Sequence, residues 1–148
     1  AVGRREAPLQ QARELGADEG ISIQRENPVE GIRARTGGLG ADIVIEATGA
    51  PEIFPQVIEA AAPGGRILIL GVFHELTHID AGRLVRKELQ LWGSLCYTWD
   101  EYEYCLQLLA ERRIRPLISH VFPLQEMGTA LALLHRREAL KIVIRPNP

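Results

Sequence analysis

Cysteine is scarce in this chain: Cys96 and Cys105 are the only two. Two thiols cannot staple a disulfide-built scaffold, and they make a reducing, cytoplasmic setting the expectation. Aromatic residues are equally sparse, at 5% of the sequence. The cluster Trp99 to Tyr104 carries acidic charges, which suits a capped helix face and not a platform for stacking bases. Neither sign of charge dominates: 17 Lys and Arg stand against 19 Asp and Glu, for a net charge of −2. That balance speaks against a nucleic-acid partner and against disorder. No apolar run approaches the ~20 residues needed to span a bilayer, so no membrane partner is expected. Ala1 to Glu14 is charged and helix-prone, unlike a secretory signal. No internal repeat or low-complexity tract is present.

What the chain does hold is an ordinary apolar fraction, 46% of 148 residues, enough for one core. Its centre is a pair of apolar runs bracketed by glycines. Gly40 to Ala50 contains the β-branched run Ile43-Val44-Ile45, and Pro63 to Val72 contains Ile67 to Leu70. Consecutive apolar residues of this kind predict strands covered on both faces. A helix over Pro51 to Ala62 between them completes a parallel βαβ unit. Ligands of open α/β sheets lie outside the carboxyl ends of the strands, which here means Thr48-Gly49 and Gly71-Val72.

The rest of the chain alternates in the same way. Ala1-Val2 reads as the last step of a strand. Glu6 to Leu15 reads as a helix with Leu9, Ala12 and Leu15 on one face and Gly16 as its stop. Gly20 to Ile23 is a short strand. Asn27 caps a helix that opens on Pro28 and runs to about Thr36. Ala81 to Arg86 is a short helix, and Leu89 to Leu95 is an edge strand. Asp100 is placed to cap a helix through Arg112, with Tyr102, Cys105, Leu106 and Leu109 as its apolar stripe. Ile118 to Phe122 is a strand. A helix from Pro123 turns Leu124, Met127, Leu131 and Leu134 inward, and Lys141 to Ile144 is a final strand that ends at Pro146. The alternation predicts a doubly wound α/β fold with a parallel sheet.

Several runs, in unbroken order, carry a resemblance. They are Ala12 to Asp18, Thr36 to Asp42, Glu46-Ala47-Thr48-Gly49, Gly64-Gly65-Arg66 leading to Gly71, His120 to Leu124, and Lys141 to Ile144. Together they make the chain resemble the medium-chain dehydrogenase/reductase family, and within it the zinc-type alcohol, polyol and threonine dehydrogenases. The resemblance implies a partial Rossmann-type sheet that lacks the first strand and its Gly-rich phosphate turn. By the same resemblance the chain opens at the end of the second strand, and the zinc ligands lie in a preceding catalytic domain outside it. Residues 1–118 would be the C-terminal portion of the NAD(P)-binding domain, and 119–148 a segment returning towards the catalytic domain. The first strand is central in the 3-2-1-4-5-6 order. The strands at Ile21 and Ile43 are therefore expected to lack a shared neighbour and to show unpaired, apolar edges.

Candidate site residues follow from the resemblance and from the fold. The second strand of a dinucleotide fold ends in an acid that binds the ribose of NAD. Gly3 stands at that place, followed by Arg4 and Arg5. Loss of the acid and gain of guanidinium groups favour NADP, with NAD as the alternative. The competing reading makes both arginines solvated residues at a helix start. Thr48 and Gly49 are expected beside the nicotinamide-side ribose, the alternative being a plain strand-to-helix turn. The resemblance places backbone atoms of Leu70, Val72, Ser94 and Cys96 around the nicotinamide carboxamide, and Lys141 near the pyrophosphate. His74 and His78 fit solvated loop residues better than a metal pair, His120 and His135 have no local partners, and Asp42 and Glu46 read as structural. No catalytic residue or metal ligand is expected in the chain.

The function implied is hydride transfer between a small alcohol or polyol and a nicotinamide dinucleotide, with the zinc outside this chain. A zinc-free quinone or enoyl reductase, or a non-catalytic nucleotide-binding or dimerisation module, are the alternatives. In relatives the edge strand pairs with its twin, so a homo-oligomer through Leu89–Leu95 is expected.

Overall fold

Strands and helices follow one another in the order the periodicity predicts. The computed structural model describes residues 1–147 and divides into two units, Ala1–Cys96 and the residues from Tyr97 onward. The first unit contains β1 (Val2–Gly3), α1 (Glu6–Glu14), β2 (Ile21–Ser22), α2 (Pro28–Arg35), β3 (Ala41–Glu46), α3 (Phe54–Ala60), β4 (Ala61–Ile69), α4 (Ala81–Lys87) and β5 (Gln90–Gly93). Every strand pairing is parallel, β1 with β2 and β3 with β4 with β5. The sheet is thus interrupted between β2–β1 and β3–β4–β5, as the expected lack of a central strand requires. Between β1 and β3 lies a cleft of about 300 Å³, walled by Ile23, Val29, Val44, Ile45 and Val57.

Local chemistry explains the helix ends. Gly16 adopts φ +107°, and the amides of Gly16 and Ala17 donate back to the carbonyls of Arg13 and Ala12. This closes α1 without strain on a side chain. The Asn27 side chain accepts from the amides of Val29 (2.9 Å) and Glu30 (3.3 Å), with Pro28 in the first turn. The helix expected over Pro51 to Ala62 is shorter. A 3-10 turn at Pro51–Ile53 leads into α3, and Ala61 already pairs with Ala41 as part of β4.

The core of this unit is built by α3 on β4: Phe54, Val57, Ile58, Ala61 and Ile67 are buried, with Val44, Ile69, Leu89 and Leu91 against them. Phe73 meets Phe54 edge-on, centroids 5.8 Å apart. The run Ile43-Val44-Ile45 is covered on one face only, contrary to expectation. Val44 turns to the core, whereas Ile43 and Ile45 remain 53% and 58% exposed. Alternation sends neighbours to opposite faces, and no helix among the described residues of this unit covers the second one. Leu15 is also exposed, because it lies beyond the last turn of α1. In and beside β5, Leu89 and Leu91 pack inward while Trp92 and Leu95 stay exposed.

The second unit contains α5 (Trp99–Ala110), β6 (His120–Pro123), α6 (Met127–His135) and β7 (Ile142–Arg145), with β6 and β7 paired in parallel. Thr98, not Asp100, caps α5. It forms a reciprocal box with Glu101, whose carboxyl its donors hold below the usual carboxylate range. The stripe Tyr102, Cys105, Leu106 and Leu109 is exposed, as are Leu124, Met127, Leu131 and Leu134; Ala130 and Ala139 are the buried apolar residues. Periodicity marks an apolar face but cannot say that the same chain covers it. Among the described residues no helix is long and apolar enough to cross a membrane.

One polar knot ties three helices of the first unit together. Glu59 on α3 pairs with Arg33 from α2 and Arg83 from α4. Lys87 Nζ donates to the carbonyls of Ile58 (3.0 Å), Glu59 (2.9 Å) and Ala61 (2.8 Å), closing the end of α3. Burial pushes the Lys87 ammonium below its ordinary value, partly offset by Glu59. The hydrogen bond from Arg33, aided by the charges of Lys87 and Arg83, holds the Glu59 carboxyl below its usual 4.5. A depressed folded pKa means stability that is present above 4.5 and lost as pH falls through the folded value. Glu59→Gln is expected to cost about 1 kcal/mol at neutral pH and to flatten the acid limb of a denaturant-derived stability profile. An acid limb identical to wild type would remove Glu59 as its source.

Candidate functional site

β3 and β4 run side by side to their carboxyl ends, where Glu46 stands opposite Ile69. Glu46 is 2% exposed and closes the apolar run Ile43-Val44-Ile45 of β3. Its Oε1 accepts from the Thr48 amide (2.6 Å), the Thr48 hydroxyl (2.6 Å) and the Gly49 amide (3.0 Å). Its main-chain carbonyl accepts from the amides of Leu70 (2.8 Å) and Gly71 (3.1 Å). One residue therefore holds both strand-end turns. Oε2 has no hydrogen-bond partner and lies against Gly71.

The two turns fit together only through glycine. Gly49 has φ +67°, and any Cβ there would collide with the Val72 carbonyl. A Cβ on Gly71 would collide with the Gly49 backbone and with Glu46 Oε2. A third strand end joins them, since the Ser94 amide donates to the Ile69 carbonyl at 3.0 Å. Leu70 and Val72 are 44% and 57% exposed at this end of the sheet. Cys96 is exposed with φ +60°, a backbone state uncommon for a residue with a side chain.

The sequence-predicted residues fall into three places. Thr48, Gly49, Leu70, Val72 and Ser94 gather at the joined ends of β3, β4 and β5, with Cys96 two residues beyond Ser94. Gly3 and Arg4, at the end of β1, line the same 300 Å³ cleft as Thr48. Arg5 stands at the N-cap of α1 without a side-chain capping bond. A Cβ on Gly3 would press on the Leu9 side chain at 3.2 Å, so the small residue also serves packing. Lys141 belongs to the second unit; its side chain is exposed, and its carbonyl accepts from the Ser119 amide at 2.9 Å and the Ser119 hydroxyl at 3.0 Å.

Sequence reasoning read Glu46 as structural, which its hydrogen bonds agree with, but did not foresee that it gathers the donors of the Thr48-Gly49 turn. The signal was an acid closing an apolar run two residues before a hydroxyl. Among the described residues no three His, Cys, Asp or Glu side chains stand together so as to hold a metal ion. His74 and His78 are exposed.

Comparison with known proteins gives this geometry a lineage. The model of a family described as zinc-binding dehydrogenase matches residues 1–111. L-threonine 3-dehydrogenase of Symbiobacterium thermophilum is 34% identical over 99% of this chain and 43% of its own length. Sorbitol dehydrogenase of Gallus gallus is 32% identical over 95% of this chain and 40% of its own. Among solved structures, the alcohol dehydrogenase TADH from Thermus sp. ATN1 superposes with a TM-score of 0.90 at 33% identity, over 98% of this chain and 44% of that one. The chain thus spans less than half the length of the relatives it matches.

The packed turns make a sharp test. Gly71→Ala is expected to cost about 1–3 kcal/mol by overpacking and to move the Gly49 amide resonance. Unfolding and amide spectra of the complete natural polypeptide carrying this chain measure both. Wild-type values for the two together would show that the turns are not interlocked.

Proposed function

Because the chain belongs to the zinc-binding dehydrogenase family, we propose that it is the cofactor-binding portion of an alcohol or polyol dehydrogenase. The reaction is hydride transfer between an alcohol and a nicotinamide dinucleotide. The observation that carries this reading is the junction of three parallel strand ends at Thr48-Gly49, Gly71-Val72 and Ser94, where open α/β sheets take their ligands. When bound, the nicotinamide ring gives or accepts the hydride.

The chain's own residues bind and orient. Thr48 and Gly49 face the nicotinamide-side ribose. The main chain at Leu70, Val72, Ser94 and Cys96 supplies donors and acceptors to the carboxamide, and exposed Leu70 and Val72 give the ring an apolar wall. Lys141 is assigned to the pyrophosphate. Zinc is assigned to the part of the relatives that this chain does not span, and none of the residues described here is given a role as its ligand.

Gly3 and Arg4 support NADP over NAD. They stand at the carboxyl end of β1, where a guanidinium can meet a 2′-phosphate and a carboxylate would repel it. Arg5 follows at the start of α1. Calorimetry on the complete natural polypeptide is expected to show tighter binding of NADPH than of NADH. Arg4→Ala should weaken NADPH about tenfold or more, as expected for a charge-assisted bond, and leave NADH unchanged. Tighter binding of NADH by the wild type would reverse the assignment.

We also assign a homodimer to the Leu89–Leu95 segment. β5 pairs on one side only among the described residues, and Trp92 and Leu95 are 51% and 78% exposed beside it. Trp92→Lys is the suitable probe, since Leu91 packs into the core. The variant is expected to shift sedimentation towards monomer; an unchanged profile would place the interface elsewhere.

A further inference from the structure

Helix α3 passes into β4 without a loop: Ala60 is its last residue, and Ala61 is already extended, at φ −70° and ψ 140°. The last turn of a helix presents carbonyls that no amide of the same helix can reach. Those of Ile58 and Glu59 belong to that turn, and the Ala61 carbonyl joins them from the first residue of β4. All three oxygens converge on one atom, Lys87 Nζ, at 3.0, 2.9 and 2.8 Å. Oxygens from both sides of a helix-to-strand corner thus surround a single point. The Glu59 carboxylate is not among them, because Arg33 and Arg83 hold it. The cradle is therefore built of main-chain dipoles, as in ion sites where carbonyls replace a cation's water. An ammonium has three protons and no acceptor, which matches three oxygens one for one.

We infer that the carbonyls of Ile58, Glu59 and Ala61 form a binding site for a primary ammonium ion, and that Lys87 is its tethered occupant. The site selects N–H protons that converge from one atom, not positive charge alone. A guanidinium spreads its donors over three nitrogens in a plane and cannot direct three of them to one point. A quaternary ammonium carries the charge but no proton. Burial works against the charge of Lys87, and the three oxygens work for it. Lys87 reaches the cradle from the last turn of α4, so its ammonium fastens that helix to the corner where α3 ends and β4 begins. Leu70 and Val72 follow the opposite, carboxyl end of β4, so the cradle does not depend on a bound dinucleotide.

The test compares wild type with Lys87→Ala in the complete natural polypeptide, at equal concentrations of methylammonium chloride and tetramethylammonium chloride. Alanine removes the tethered ion and leaves the three carbonyls in the chain. Lys87 is only half-buried, so solvent reaches the cradle once the side chain is cut back. Methylammonium is expected to raise the variant's unfolding midpoint by about 2–4 °C over tetramethylammonium. The gain should saturate with concentration, as binding to the folded state requires, and wild type should show none. Where the variant folds poorly, its refolding yield in the two salts gives the same comparison. Lys87→Arg, which keeps the charge, is expected to be destabilised as Lys87→Ala is. Equal effects of the two salts on the variant, the same methylammonium gain in wild type, or a Lys87→Arg protein as stable as wild type overturns the inference.

Discussion

A buried carboxylate at the end of a strand governs the geometry of this chain's ligand-facing edge. Glu46 gathers the donors of one turn on its Oε1 and those of the next on its main-chain carbonyl. Burying an acid is unfavourable unless hydrogen bonds replace its water. Here three donors converge on one oxygen, and the other is left against a glycine. The cost is met where exact placement of two loops is of use, at the carboxyl ends of paired parallel strands. The glycines at 49 and 71 follow from this arrangement: with side chains there, the loops could not close onto the same carboxylate.

Much of the fold was legible. The apolar runs at Ile43 and Ile67, the Asn27-Pro28 start and the Gly16 stop report local rules that act within a few residues. They reappear as β3, β4, α2 and the end of α1. Strand ends near Thr48 and Gly71 were legible for the same reason. What escaped depends on contacts across the sequence. The side of β3 that faces away from the core, and the exposed stripes of α5 and α6, look like core from periodicity alone. A pattern states which residues want cover, and only the packed chain states whether they receive it. The donors that converge on Glu46, and the lysine that closes α3 from a later helix, have no periodic signature at all.

The interrupted sheet connects fold and function. β1 carries Gly3 and leads to Arg4, β3 leads to Thr48, and the cleft between these strands is lined by residues from both. A chain spanning 43% of its first relative's length keeps this second half of the nucleotide fold as a unit. Its strand ends are fixed by bonds internal to that unit. The turn at the end of β3 is set by Glu46, Thr48, Gly49 and Ala50, all within five consecutive positions.

Strand order has a kinetic meaning as well. Among the described residues each strand pairs only with a neighbour in sequence, β1 with β2, β3 with β4, β4 with β5, and β6 with β7. Each pairing is parallel, so it closes a whole crossover and not a tight hairpin turn, and folding slows as such contacts become less local. Each pair can form only once the crossover between its strands has been made, so sheet and helices in this fold assemble together, one crossover at a time.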